Sequence, residues 1–176
     1  MSGMKRMVLA AGLLAAGPIG IASATAEELK IEGVGISRDL VCAEGDEVGV
    51  YGAENEVRVT GPCKSILVHG SKHTVTFETA GALEVFGSEN SAKGGEVENL
   101  AVSVDQQTVE ATLRAKDGAA EAVVAGVQHK VTLTLASASR LTVNGVDNAV
   151  SWALAGGAPA PKVSSAGAGN RVSKRG

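Results

Sequence analysis

Gly52-Ala-Glu-Asn55-Glu-Val57 and Gly70-Ser-Lys-His73-Thr-Val75 are two copies of one phrase, G-x-x-[N/H]-x-V. The phrase returns as Gly87-Ser-Glu-Asn90-Ser-Ala92, Gly126-Val-Gln-His129-Lys-Val131, Gly145-Val-Asp-Asn148-Ala-Val150 and Gly167-Ala-Gly-Asn170-Arg-Val172. A degenerate copy, Val104-Asp-Gln-Gln107-Thr-Val109, fills the middle. The anchors at 52, 70, 87, 104, 126, 145 and 167 stand 17 to 22 residues apart. A unit this short cannot bury a core alone, so each repeat reads as one coil of a solenoid, stacked on its neighbours.

Around each anchor the chain alternates. Val48 and Val50 precede Gly52, Ile66 and Val68 precede Gly70, and Leu141 and Val143 precede Gly145. Val57 and Val59, Val75 and Phe77, and Val131, Leu133 and Leu135 follow the corners, with polar residues between them. Period-two alternation of β-branched residues marks half-buried strands. Each coil is therefore strand, tight corner, strand and a looser return, in an all-β, single-domain parallel β-solenoid of about seven coils. Glycine takes positive φ without steric cost, and Asn is expected as the other left-handed corner residue. The corner set is Gly52, Asn55, Gly70, His73, Gly87, Asn90, Gly126, His129, Gly145, Asn148, Gly167 and Asn170. Stacked amides can form a ladder, and a ring nitrogen of His73 or His129 can make a similar bond.

The first 26 residues read as a secretory leader. Lys5 and Arg6 precede an apolar run, and Ala24-Thr-Ala26 fits a small-x-small cleavage site. Residues 27–40 then form a lead-in or cap, 41–173 the solenoid and 174–176 a frayed tail. Export, to the periplasm or outside the cell, leaves 14 Lys+Arg against 19 Asp+Glu, a net charge of −5. That scattered acidity disfavours nucleic acid, and no later segment is apolar enough to span a bilayer. Cys42 and Cys63, an even pair about one coil apart in an exported chain, read as a disulfide stapling the N-terminal coils. A redox or metal pair is the alternative, without C-x-x-C spacing to support it.

The paired cysteines around the first corner, the repeated V-x-G-x-x-N-x-V and the closing Gly145-Val-Asp-Asn148-Ala-Val150-Ser-Trp152 resemble an exported bacterial family, domain-of-unknown-function family 3060. The resemblance covers roughly residues 40–173. It implies a solenoid fold and an exported location, and it brings no activity or functional residues. The chain departs from the pattern at Ala92 and Val104, which puts the regularity of the middle coils in question.

No cofactor or metal site is read from the sequence. His73 and His129 lie three coils apart, too far to share a metal ion. Glu56, Glu78, Glu84, Glu89, Glu98, Asp105 and Glu110 fall on different faces, whereas glycosidic chemistry needs converging carboxylates. Outward threonines (Thr74/Thr76, Thr132/Thr134) resemble ice-binding faces, but Lys93 and Glu110 interrupt the array. One column is different. Tyr51, His69 and Phe86 precede corner glycines on three consecutive coils and should face outward, about 5 Å apart. Exposed aromatics mark binding surfaces; packing beneath the segment 27–40 is the plainer reading. The leading expectation is a non-catalytic, exported solenoid with a structural, adhesive or surface-interaction role. A carbohydrate- or cell-wall-binding module using that stripe comes second, and a small polysaccharide-active enzyme third. The partners expected are cell-wall glycan or further copies joined through the solenoid edges.

Overall fold

The computed structural model describes residues 26–176, and every regular element among them is a β-strand. The expected leader lies outside the described residues, apart from its last position. In chain order the strands are β1 (Glu28–Val34), β2 (Ser37–Val41), β3 (Glu47–Ala53), β4 (Glu56–Ser71), β5 (Thr74–Ser88), β6 (Ser91–Asp105) and β7 (Thr108–Leu113). They continue as β8 (Ala120–Val127), β9 (Lys130–Leu135), β10 (Ser139–Val146), β11 (Ala149–Leu154), β12 (Lys162–Ala168) and β13 (Arg171–Lys174). All pairings are parallel.

Two ladders run the length of the molecule. The first stacks β1, β3, the C-terminal halves of β4, β5 and β6, then β8, β10 and β12. The second stacks β2, the N-terminal halves of β4, β5 and β6, then β7, β9, β11 and β13. A corner joins the ladders within each coil. The corner anchors form one column: Gly33, Gly52, Gly70, Gly87, Val104, Gly126, Gly145 and Gly167.

That column has eight rungs, not seven. The segment expected as a lead-in, 27–40, is built as the first rung, with Gly33 at its corner. This rung lacks the repeated phrase, because Ile36 stands where later coils carry an amide or an imidazole. The tail is tied down further than expected, since the Arg175 N–H donates to the Trp152 carbonyl (2.6 Å).

The interior is the sum of the alternating positions. Val57, Val75, Ala92, Val109, Val131 and Val150 align in one column, and each is at most 2% exposed. Ala92 therefore keeps the register although it departs from the repeated pattern. In the next inward column Phe77 precedes Gly94, and a Cβ on Gly94 would strike the Phe77 ring. A large side chain on one rung is thus accommodated by a missing one on the next, as close packing demands. Cys42 and Cys63 form the disulfide, with Cα atoms 5.2 Å apart and both residues buried beside Ala80 and Val97.

The corner differs from the expectation in one respect. Asn is not the left-handed residue. Positive φ falls on the anchor glycine and on the residue before the amide: Glu54, Lys72, Glu89, Gln106, Gln128 and Asp147, at 53–58°. The Asn side chain is instead committed inward, to the neighbouring rungs.

Candidate functional site

The amide column comprises Asn55, His73, Asn90, Gln107, His129 and Asn148, each at most 1% exposed, with Asn170 at the open end. Every side chain in it accepts a backbone N–H from the rung below. Ile36 donates to Asn55 Oδ1 (2.8 Å), Asn55 to His73 Nδ1 (3.2 Å) and His73 to Asn90 Oδ1 (2.9 Å). Asn90 donates to Gln107 Oε1 (3.0 Å), Gln107 to His129 Nδ1 (3.1 Å) and His129 to Asn148 Oδ1 (3.0 Å). The other end of each amide donates to carbonyls; Asn90 Nδ2 reaches Gly70 O (3.1 Å) and Phe86 O (3.3 Å). The histidine rings do the same, Nε2 meeting the carbonyls of His69 (3.3 Å) and Ala125 (3.2 Å). This network assigns both rings as the neutral Nε2–H tautomer. Burial pushes both imidazoles below their usual 6.5, while the carbonyls of His69 and Ala125 and the charge of Asp105 work against the shift. These rings are structural, with both nitrogens engaged.

The sequence missed Asp46. Its carboxylate accepts from the N–H groups of Glu27 (2.9 Å) and Ala43 (2.8 Å), tying the first rung to the turn at 43–46. Those two bonds hold its carboxyl below the usual range. A buried aspartate among scattered acids gives no sequence signal of its own.

Tyr51, His69 and Phe86 do come together on the outer face of the first ladder. The Tyr51 and His69 rings are 6.1 Å apart, and His69 and Phe86 are 5.1 Å apart, all in edge contact. Phe86 is 45% exposed, and Lys30 Nζ lies 5.1 Å from the Tyr51 ring centre. The Tyr51 ring leans back over Gly49, where any side chain would collide with it. Beside it is a hollow of about 160 Å³ whose rim includes Glu47, Ser65, Leu67 and Glu84. Segment 27–40 does not cover the stripe; it lies edge-on as the rung below.

Around the stripe this face carries Lys30, Glu32 and Glu84, and its marginal column holds Glu28, Glu47, Glu121, Arg140 and Lys162. Beyond the stripe its inner columns are small and mostly neutral. From the fifth rung to the eighth its inner columns read Ala101-Val123-Thr142-Ser164, Ser103-Ala125-Asn144-Ala166 and Asp105-Val127-Val146-Ala168. The second ladder's outer face is charged too, with Glu56, Arg58, Lys93, Glu110, Lys130 and Arg171 in its outward columns.

The acids weighed as catalytic candidates do not meet in one place. Glu110 pairs with Lys93 (2.9 Å), and Glu78 accepts from the Gly61 N–H (2.9 Å). Asp105 accepts from the Ser88 hydroxyl (3.2 Å). A groove of about 350 Å³ over the returns does gather Glu44, Glu96 and Glu98 with Lys64, Arg114 and Lys116. Arg114 is engaged within the groove by Glu96 and Lys64 is drawn to Glu47 outside it, both at 2.6 Å. Among the described residues no helix is long and apolar enough to cross a membrane.

No curated protein and no solved structure matches the chain. A family model described as "Protein of unknown function (DUF3060)" matches residues 50–105 and 107–169, which takes in the corners from Gly52 to Gly167. The repeat, the corners and that match together place the chain in the DUF3060 family.

Proposed function

We propose that the protein is an exported, non-catalytic surface-interaction solenoid, with a structural or adhesive role, that works through the outer face of its first ladder. The observation that carries this is the column Tyr51–His69–Phe86, three rings in edge contact on the outward side of three consecutive rungs, with Phe86 45% exposed. Exposed aromatic surface is costly in water and is retained where something covers it. The rungs beneath hold the rings at fixed spacing, so binding loses little conformational entropy. The buried disulfide fits an oxidising compartment.

A carbohydrate ligand is the reading that the hollow beside Tyr51 favours. An aromatic ring supplies a stacking surface, and Glu47, Ser65 and Glu84 supply acceptors and a hydroxyl for sugar hydroxyl groups. The test is binding of residues 27–176 to isolated cell-wall polysaccharide and to a glycan array. Tyr51→Ala and Phe86→Ala should each weaken binding at least fivefold. Binding unchanged in both variants would remove the stripe from consideration. Hydrolysis of a polysaccharide by the purified chain, abolished by Glu96→Gln or Glu98→Gln, would replace this reading with an enzymatic one.

A further inference from the structure

We infer that the outer face of the first ladder pairs with the same face of a second copy, in a closed two-fold dimer. The inference rests on the reading of this face as the working surface and names its partner. Place a two-fold axis along the strand direction, between the fourth and fifth rungs and in the plane of contact. Each outward column then packs on itself with the rungs reversed, first on eighth, second on seventh, third on sixth and fourth on fifth. The parallel register says which residues would meet.

The face is self-complementary under that operation, by three independent criteria. The marginal column runs from Glu28 and Glu47 at one end to Arg140 and Lys162 at the other. Glu121 lies beside Arg140 and pairs with it, and Glu47 pairs with Lys64, both as exposed ion pairs that add little and can be exchanged. Reversal sets Glu28 against Lys162 of the second copy and Glu47 against its Arg140. The aromatic column is large in its first half and small in its second. Reversal sets Phe86 against Ser103, His69 against Ala125 and Tyr51 against Asn144, so the rings fill the low half of the opposing face. The remaining columns bring Leu67 to Val123 and Ala53 to Val146, both apolar. Five charged side chains meet neutral ones. Lys30 faces Ser164, Glu32 faces Ala166, Asp105 faces Ser88 and Glu121 faces Ser65, all on an end rung or a marginal column at the wet rim. Glu84 faces Ala101 in the interior, where the Asn99 amide in the adjoining column is the donor nearest to it across the axis. Four outward columns by eight rungs give roughly 20 Å by 34 Å, or about 700 Å² per partner. A standard specific interface buries about 800 Å² per partner. A face that is its own complement closes as an isologous dimer rather than an open fibre.

The ends of the solenoid are poorer candidates for joining copies. Arg38 and Lys174 occupy inward columns on the first and last rungs, and inward-pointing charges protect a sheet edge from pairing. Ile36 on the first rung offers no acceptor to the Asn170 N–H of a copy stacked beneath it.

The test is sedimentation velocity on residues 27–176 across concentration at low salt, with circular dichroism to verify the fold of each variant. The expected result is a monomer–dimer equilibrium. Arg140→Glu with Lys162→Glu should weaken it at least tenfold, as should Glu28→Lys with Glu47→Lys. All four changes in one chain should restore it, because every opposed pair is then again of opposite sign; a merely unfolded variant could not be rescued this way. Three results would overturn the dimer: a monomer at every concentration, a dimer indifferent to both charge reversals, or growth into longer oligomers, which would assign association to the ends. A monomer that still binds cell-wall glycan through Tyr51 and Phe86 removes the dimer and leaves the proposed function standing. A charge-dependent dimer without any glycan binding does the opposite to the carbohydrate reading.

Discussion

The backbone N–H of Gln107 donates to Nδ1 of His129 on the rung above, at 3.1 Å, in a site closed to solvent. That one bond makes the fold sensitive to acid. A proton on Nδ1 would set two donors against each other and leave a charge in a buried column. His73 stands in the same position above Asn55.

Burial lowers the folded-state pKa of both rings below the unfolded value of about 6.5. Below that value the unfolded chain binds more protons than the folded one, so stability falls as pH falls. Stability should therefore be level above about pH 7 and decline as the pH drops through 6.5 toward the folded pKa. Urea denaturation at a series of pH values measures it. His73→Asn with His129→Asn, which restores the amide of the other corners, should flatten the curve between pH 5 and 7. An unchanged slope would assign the acid sensitivity to other groups.

Val104 occupies the glycine column at φ 82°, a conformation that costs a β-branched residue about 1–3 kcal/mol. The strain shows in the neighbouring corner bond. Glu89 N to Asp105 O is 3.4 Å, while the equivalent bonds from Glu54, Lys72, Gln106, Gln128 and Asp147 are 2.9–3.0 Å. Val104→Gly should raise stability by about 1 kcal/mol, read as a higher thermal midpoint. Gly145→Val should lower it by about 3 kcal/mol, because its Cβ would collide with the Gly126 carbonyl.

Within the ladder, Asn148→Ala removes the acceptor for the buried His129 N–H and the donor to Gly126 O and Asn144 O. The loss should be about 2–3 kcal/mol, since a buried N–H is left without a partner. Asn170→Ala, at the open last rung where water can replace it, should cost about 1 kcal/mol or less. Equal losses in chemical denaturation would contradict a ladder whose strength follows burial.

The disulfide closes a segment of 21 residues and should contribute about 3 kcal/mol through the unfolded chain. Cys42→Ser with Cys63→Ser should lower stability by about that amount. Hydrogen exchange should quicken most in β1 to β4. Uniform acceleration over all eight rungs would mean that the molecule unfolds only as a whole.

The sequence determined the rungs. Alternation around Val48–Val50 and Val57–Val59 is a local steric pattern, and recurrence every 17 to 22 residues leaves little but a stacked parallel coil. What it hid was decided between rungs. Glu54, Lys72 and Glu89 take the left-handed turn against their own preference, because the Asn or His beside each is held by bonds to the adjacent rungs. The first rung carries no legible copy of the phrase, because Gly33-Val-Gly35-Ile36 keeps the bend and lacks the amide. Whether Tyr51, His69 and Phe86 align, and what stands on the rungs beyond them, depends on register, and register is fixed by hydrogen bonds between residues about 19 apart. Local propensity cannot report bonds of that kind, since each strand of this solenoid is completed only by the rungs on either side of it.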